Sequence, residues 1–123
     1  MNRKSKILVL SILILILTAS AFAQETISAA DAAKFIGQQK TVCGTVASVH
    51  QAVRSKGQPT FLNLDKPYPH QVFTVLIWGS DKSKFKEPPE ALSGKEICVT
   101  GMIQSYRGIP EIIARDSSQI KVK

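Results

Sequence analysis

Two strand-like runs that each carry a glycine in their middle constrain this chain most. In Thr41 to Val49, the residues Val42, Cys43, Val46 and Val49 surround Gly44; Glu96 to Tyr106 holds Ile97, Cys98 and Val99 before Gly101. A mid-strand glycine weakens a flat strand and suggests a bulge or a sharp bend. Strands of this kind suit a small sheet that coils hard on itself. Between them, Thr60 to Asp65 alternates as a half-buried strand does, with Leu62 and Leu64 on one face and Phe61 and Asn63 on the other. Val72 to Trp78 is a continuous apolar run, read as a strand covered on both faces for part of its length. Arg107-Gly108 makes a turn, Ile109 to Ala114 returns as a fifth strand, and Ile120 to Val122 adds one more pairing. Five short strands and a closing hairpin predict an all-β chain, a small antiparallel barrel with one or two short helices.

The connections carry little regular structure. Ser28 is a good helix N-cap before Ala29, Ala30, Asp31, Ala32 and Ala33, and Gly37 is a natural stop. Gln51 to Pro59, with Arg54 and Lys56, reads as a basic loop, and Lys66-Pro67-Tyr68-Pro69-His70 as a proline-fixed turn. Pro88 and Pro89 limit Asp81 to Ser93 to one helical turn.

The first 23 residues read as an export signal. Arg3, Lys4 and Lys6 form a basic start, Ile7 to Leu17 an apolar run, and Ala21-Phe22-Ala23 a small-x-small cleavage site. The run is shorter than the roughly 20 residues that span a bilayer. Residues 1–23 are therefore expected to be cleaved, leaving residues 24–123 as one domain with no stable membrane anchor, periplasmic or secreted. The leader holds three of the 16 basic residues, so 13 remain against nine acids, a balance of +4 rather than +7. That balance permits a polyanion as partner without requiring one.

Export changes how Cys43 and Cys98 read. In an oxidising compartment two cysteines in matching strand settings are expected to form a disulfide, with two buried free thiols as the alternative. In a barrel whose first and fourth strands are neighbours the two would meet. Closing that loop would contribute at most about 4 kcal/mol in the chain-entropy model.

Taken in order, Val42-Cys43-Gly44-Thr45-Val46, Phe61-Leu62-Asn63-Leu64, Leu92-Ser93-Gly94-Lys95 with Val99-Thr100-Gly101, and Tyr106-Arg107-Gly108-Ile109-Pro110-Glu111-Ile112 resemble nucleic-acid-binding OB-folds of the anticodon-binding and helicase type. The resemblance implies a five-stranded Greek-key barrel with ligand lying across its second and third strands. It further implies that single-stranded nucleic acid is met by Arg54 and Lys56 in the first loop, Phe61 and Asn63 on strand two, and Tyr106 and Arg107 at the last hairpin. An aromatic face stacks any base, lysine and arginine neutralise phosphate, and Asn63 offers hydrogen bonds to a base edge.

Plainer readings stand beside these. Phe61 pairs with Phe35 under the N-terminal helix, Trp78 belongs to core or rim, Tyr106 packs over its hairpin, and Arg54 and Lys56 are solvated loop charges. The acids are scattered, His50 and His70 have no neighbours at metal-ligand spacing, and no nucleophile motif or phosphate-cradling glycine loop occurs. A binding module without catalytic residues, metal or cofactor is expected. The rival is an envelope module of the same fold that binds a protein or small ligand.

Overall fold

The computed structural model describes residues 25–123; the expected leader, residues 1–23, and its cleavage point before Gln24 lie outside them. Eight strands form one coiled sheet: β1 (Thr26–Ser28), β2 (Gln39–Gln51), β3 (Thr60–Leu64), β4 (Phe73–Ile77), β5 (Glu96–Met102), β6 (Gln104–Tyr106), β7 (Ile109–Ile113) and β8 (Ile120–Val122). Their order is β6-β7-β4-β3-β2-β5-β8, with β1 parallel to the first half of β2. All pairings are antiparallel except β1 with β2 and β4 with β7. The chain thus has an all-β, OB-like fold, in which β5 and β6 together take the place of one expected strand.

Phe73, Leu62, Leu64, Ile77, Ile97 and Ile112 fill the interior, all fully buried. Burying each side chain of this size stabilises the fold by about 1.5–3 kcal/mol. The two mid-strand glycines allow backbones to close on that core. A Cβ on Gly101 would lie 2.7 Å from Ile112 Cγ2, and one on Gly44 2.8 Å from Asp65 Oδ1. Gly44 is therefore a point of close approach rather than a bulge. The irregularity falls three residues on, where the β2–β3 register shifts between Val46 and Ser48.

Other expectations are corrected. The N-terminal helix is a 3-10 helix, Ala29–Phe35, and Ser28 caps no backbone amide; its Oγ donates instead to Asp31 Oδ2 at 3.1 Å. The three-residue repeat of this winding puts Ala29 and Ala32 together on the buried side. The fourth expected strand breaks at Ile103, which is buried, so that β5 pairs with β2 while β6 pairs with β7.

The barrel is also not closed. β5 and β7 come side by side without a ladder of backbone bonds. One side chain bridges the gap: Gln119 Nε2 donates to Thr100 O (3.0 Å) on β5 and to Ile113 O (3.3 Å) on β7, while its Oε1 accepts from Arg115 N (2.7 Å). Cys43 and Cys98 face each other in the β2–β5 register, Cα atoms 4.0 Å apart, and form the expected disulfide. Beside them Thr41 and Thr100 share a 2.7 Å hydroxyl hydrogen bond. No helix among the described residues is long and apolar enough to cross a membrane.

Candidate functional site

Strand alternation sends every second residue of β3 and β4 away from the core. Register then aligns these outward residues with their neighbours in two rows across the sheet. One row runs His50–Phe61–Leu76–Ile113. The other runs Ser48–Asn63–Thr74–Glu111–Gln104. Two residues beyond the apolar row stands Trp78, and two beyond the polar row the Tyr106–Ile109 pair. Along the strands the face is about 20 Å long.

The apolar row holds a stacked pair, the rings of His50 and Phe61, 6.3 Å apart and 12° from parallel. The polar row is bonded within itself. Asn63 Nδ2 donates to Ser48 Oγ (3.0 Å), Gln71 Nε2 to Thr74 Oγ1 (3.5 Å) and Gln104 Nε2 to Glu111 Oε1 (3.0 Å). The turn between β3 and β4 lies against this row, since Tyr68 N also donates to Ser48 Oγ (3.3 Å). Asn63, Thr74 and Glu111 are consequently buried. Burial pushes the Glu111 carboxyl above its usual range, and the Gln104 bond only partly offsets it. Gln71 Oε1 is buried and finds no donor among the described residues.

Cations sit at both ends of the face. At one end, the loop between β2 and β3 carries exposed Arg54 and Lys56 on two turns, closed by Ser55 N to Ala52 O and Gln58 N to Ser55 O, each 3.0 Å. At the other, Arg107 and Gly108 form the β6–β7 hairpin turn, both at positive φ (51° and 81°), as a two-residue primed turn requires. The Arg107 guanidinium lies 5.3 Å from the centroid of the Tyr106 ring. None of these three cations forms an ion pair among the described residues.

The expected site residues thus fall on one face: Phe61 and Asn63 within it, Tyr106 and Arg107 at one end, Arg54 and Lys56 at the other. Two expectations change. The Asn63 amide, expected to meet a ligand, is buried, and one of its two N–H donors bonds Ser48 Oγ. Phe61 lies beside His50, whereas Phe35 packs on the core with Lys40 Nζ 5.0 Å from its ring. His50, Leu76, Trp78 and Glu111 are additional members of the face. The alternation of Val72 to Trp78 was hidden because all five β4 residues are apolar or threonine and all are buried.

No family model matches the chain, and no curated protein matches it. Its fold is similar to that of an OBody, AM1L10, bound to hen egg-white lysozyme, with TM-score 0.52 and 17% identity over 85% of this chain and 98% of that one. It is also similar to part of a putative aspartyl-tRNA synthetase from Leishmania major Friedlin, with TM-score 0.50 and 10% identity. There the match covers 97% of this chain but 26% of the synthetase. At these identities the likeness is one of fold.

Proposed function

We propose that this protein is an exported OB-fold binding module that holds single-stranded nucleic acid on the outer face of β3 and β4, with little sequence preference. The observation that carries the reading is the composition of that face. Its aromatic residues lie between cations that form no ion pair among the described residues, and the one carboxylate in its two rows, Glu111, is buried. Bases stack on aromatic rings at about 1–3 kcal/mol each, and basic side chains displace counterions from phosphate. An exposed acid in the same place would repel the strand.

The reading extends to location and chemistry. The disulfide is consistent with an oxidising compartment, which supports cleavage of residues 1–23 and export of residues 24–123. The scattered acids support a binding role without catalysis. The same disulfide favours a second reading, an envelope protein as partner, because nucleic acid is scarce where proteins are oxidised. The fold leaves both open: one neighbour is named for tRNA, the other is bound to a protein.

Fluorescence anisotropy of the disulfide-bonded mature chain with a labelled 12-nucleotide strand, at low and moderate salt, separates the two. The nucleic-acid reading expects affinity that falls steeply with salt and weakens about tenfold in Phe61→Ala, whatever the sequence. Absence of binding at low salt would overturn it in favour of the protein-partner reading.

A further inference from the structure

We propose that Trp78 is a base-stacking subsite at the loop end of this face, an inference that rests on the nucleic-acid reading above. Trp78 follows Thr74 and Leu76 at the two-residue interval of the outward side of β4. Its indole lies against backbone: a Cβ on Gly57 would come within 2.9 Å of Trp78 Cε3 and 3.0 Å of Cζ3. Gly57 itself has φ +79°, a conformation that L side chains rarely adopt. On the other side of the contact, Gly79 N donates to Gly57 O at 2.9 Å, and a Cβ on Gly79 would lie 2.8 Å from that oxygen. Two glycines with no side chain between them thus press the basic loop onto the end of β4.

The result is a ring supported on one side and 37% exposed. It stands outside the buried core cluster, which is filled without it. Tyr68, the most exposed aromatic side chain among the described residues at 72%, sits in the β3–β4 turn. A fixed ring stacks a base with little ordering cost, and charge complementarity selects the occupant. Lys56 immediately precedes Gly57, Arg54 lies one turn earlier, and neither is paired with an acid among the described residues. A ring held against a loop that carries two exposed cations, neither ion-paired among the described residues, suits a base and a neighbouring phosphate. It would also place a base beyond Phe61, extending the occupied path toward the basic loop.

Trp78 is the chain's one tryptophan, so its emission reports this subsite directly. Emission and anisotropy are recorded together as an unlabelled and a labelled 12-nucleotide strand are added to the mature protein. Quenching that follows the same isotherm as the anisotropy supports the subsite. So does a loss of affinity of about tenfold in Trp78→Leu, which keeps an apolar group on Gly57, with Trp78→Phe nearer the parent. Far-UV circular dichroism of both variants verifies the fold. Salt-sensitive anisotropy with unchanged emission, or Trp78→Leu binding as the parent does, overturns the subsite and leaves the nucleic-acid reading standing. Absence of any anisotropy change at low salt overturns both.

Discussion

β2 runs through two unlike halves of the sheet, and they use their outward side chains differently. Where β2 lies between β1 and β5, the outward residues bond to one another: Cys43 to Cys98 covalently and Thr41 to Thr100 by hydroxyls. Past the register shift after Val46, where β2 pairs with β3, the outward positions hold an imidazole, aromatic rings and a polar row, beside which Gln71 Oε1 finds no donor among the described residues. One half is closed on itself; the other keeps groups that a ligand can still use. Stability and binding are thereby carried by different residues of the same strand, and substitutions are expected to separate them.

The largest effect should come from the covalent cross-link. Replacing both Cys43 and Cys98 by serine is expected to cost about 2–4 kcal/mol, read as a lower Tm, while affinity per folded molecule stays unchanged. A change in affinity measured well below the Tm would break the separation. Next comes the bridge between β5 and β7. Gln119→Leu removes three hydrogen bonds from backbone groups of the seam and should cost about 1–3 kcal/mol in urea unfolding, again sparing the outer face.

The hairpin tip should show the opposite pairing of effects. Arg107→Asn suits a positive φ better than arginine, so a gain of about 0.5–1 kcal/mol in stability is expected. The same change removes a cation and its stacking on Tyr106, so oligonucleotide affinity should fall several-fold and the salt slope become shallower by about one. A variant that is more stable and binds as well as the parent would remove Arg107 from the site.

The smallest effect concerns Glu111. Its folded pKa is raised by burial, so the folded state holds the proton more tightly than the unfolded chain. This group's contribution to stability is full below its unfolded pKa, near 4.5, and is lost as pH rises through the higher folded value. Glu111→Gln removes that loss, and its stability should vary less with pH across this window than the parent's. Equal slopes for the two proteins would show that the carboxyl titrates as if exposed.

How much of this was legible in sequence depends on the range of the interaction. The alternation of Phe61 to Leu64 and the hairpin at Arg107-Gly108 are local signals, and each marks a real element, whereas the bulge expected at Gly44 is a close approach set by Asp65, Ala29 and Leu64 from other segments. The cysteines were pairable because both the compartment and the strand settings pointed to them. The expected barrel closure, by contrast, depended on whether one apolar residue, Ile103, turns inward and ends a ladder. The alanine-rich segment marked the short helix that is present, while its 3-10 winding, with Ala29 and Ala32 on one buried side, is not a matter of local propensity. At the site, the rings and cations could be read one by one, but their grouping could not. The His50–Phe61 pair and the burial of Asn63 depend on cross-strand register, and the Trp78 contact depends on how a loop of two turns folds back. Gln119 carries no motif at all; its role exists only because a gap lies in front of it.

The Cys43–Cys98 bond makes a covalent ring of the intervening chain, a sequence separation of 55 that takes in β3, β4 and the basic loop. The exposed Arg54 and Lys56 lie inside it, and the bonds after them are open to a trypsin-like protease. A cut there leaves two fragments on one molecule, a single band without reductant and two bands with it. In surroundings rich in proteases, the same bridge that closes one half of the sheet would let the other half be nicked without coming apart.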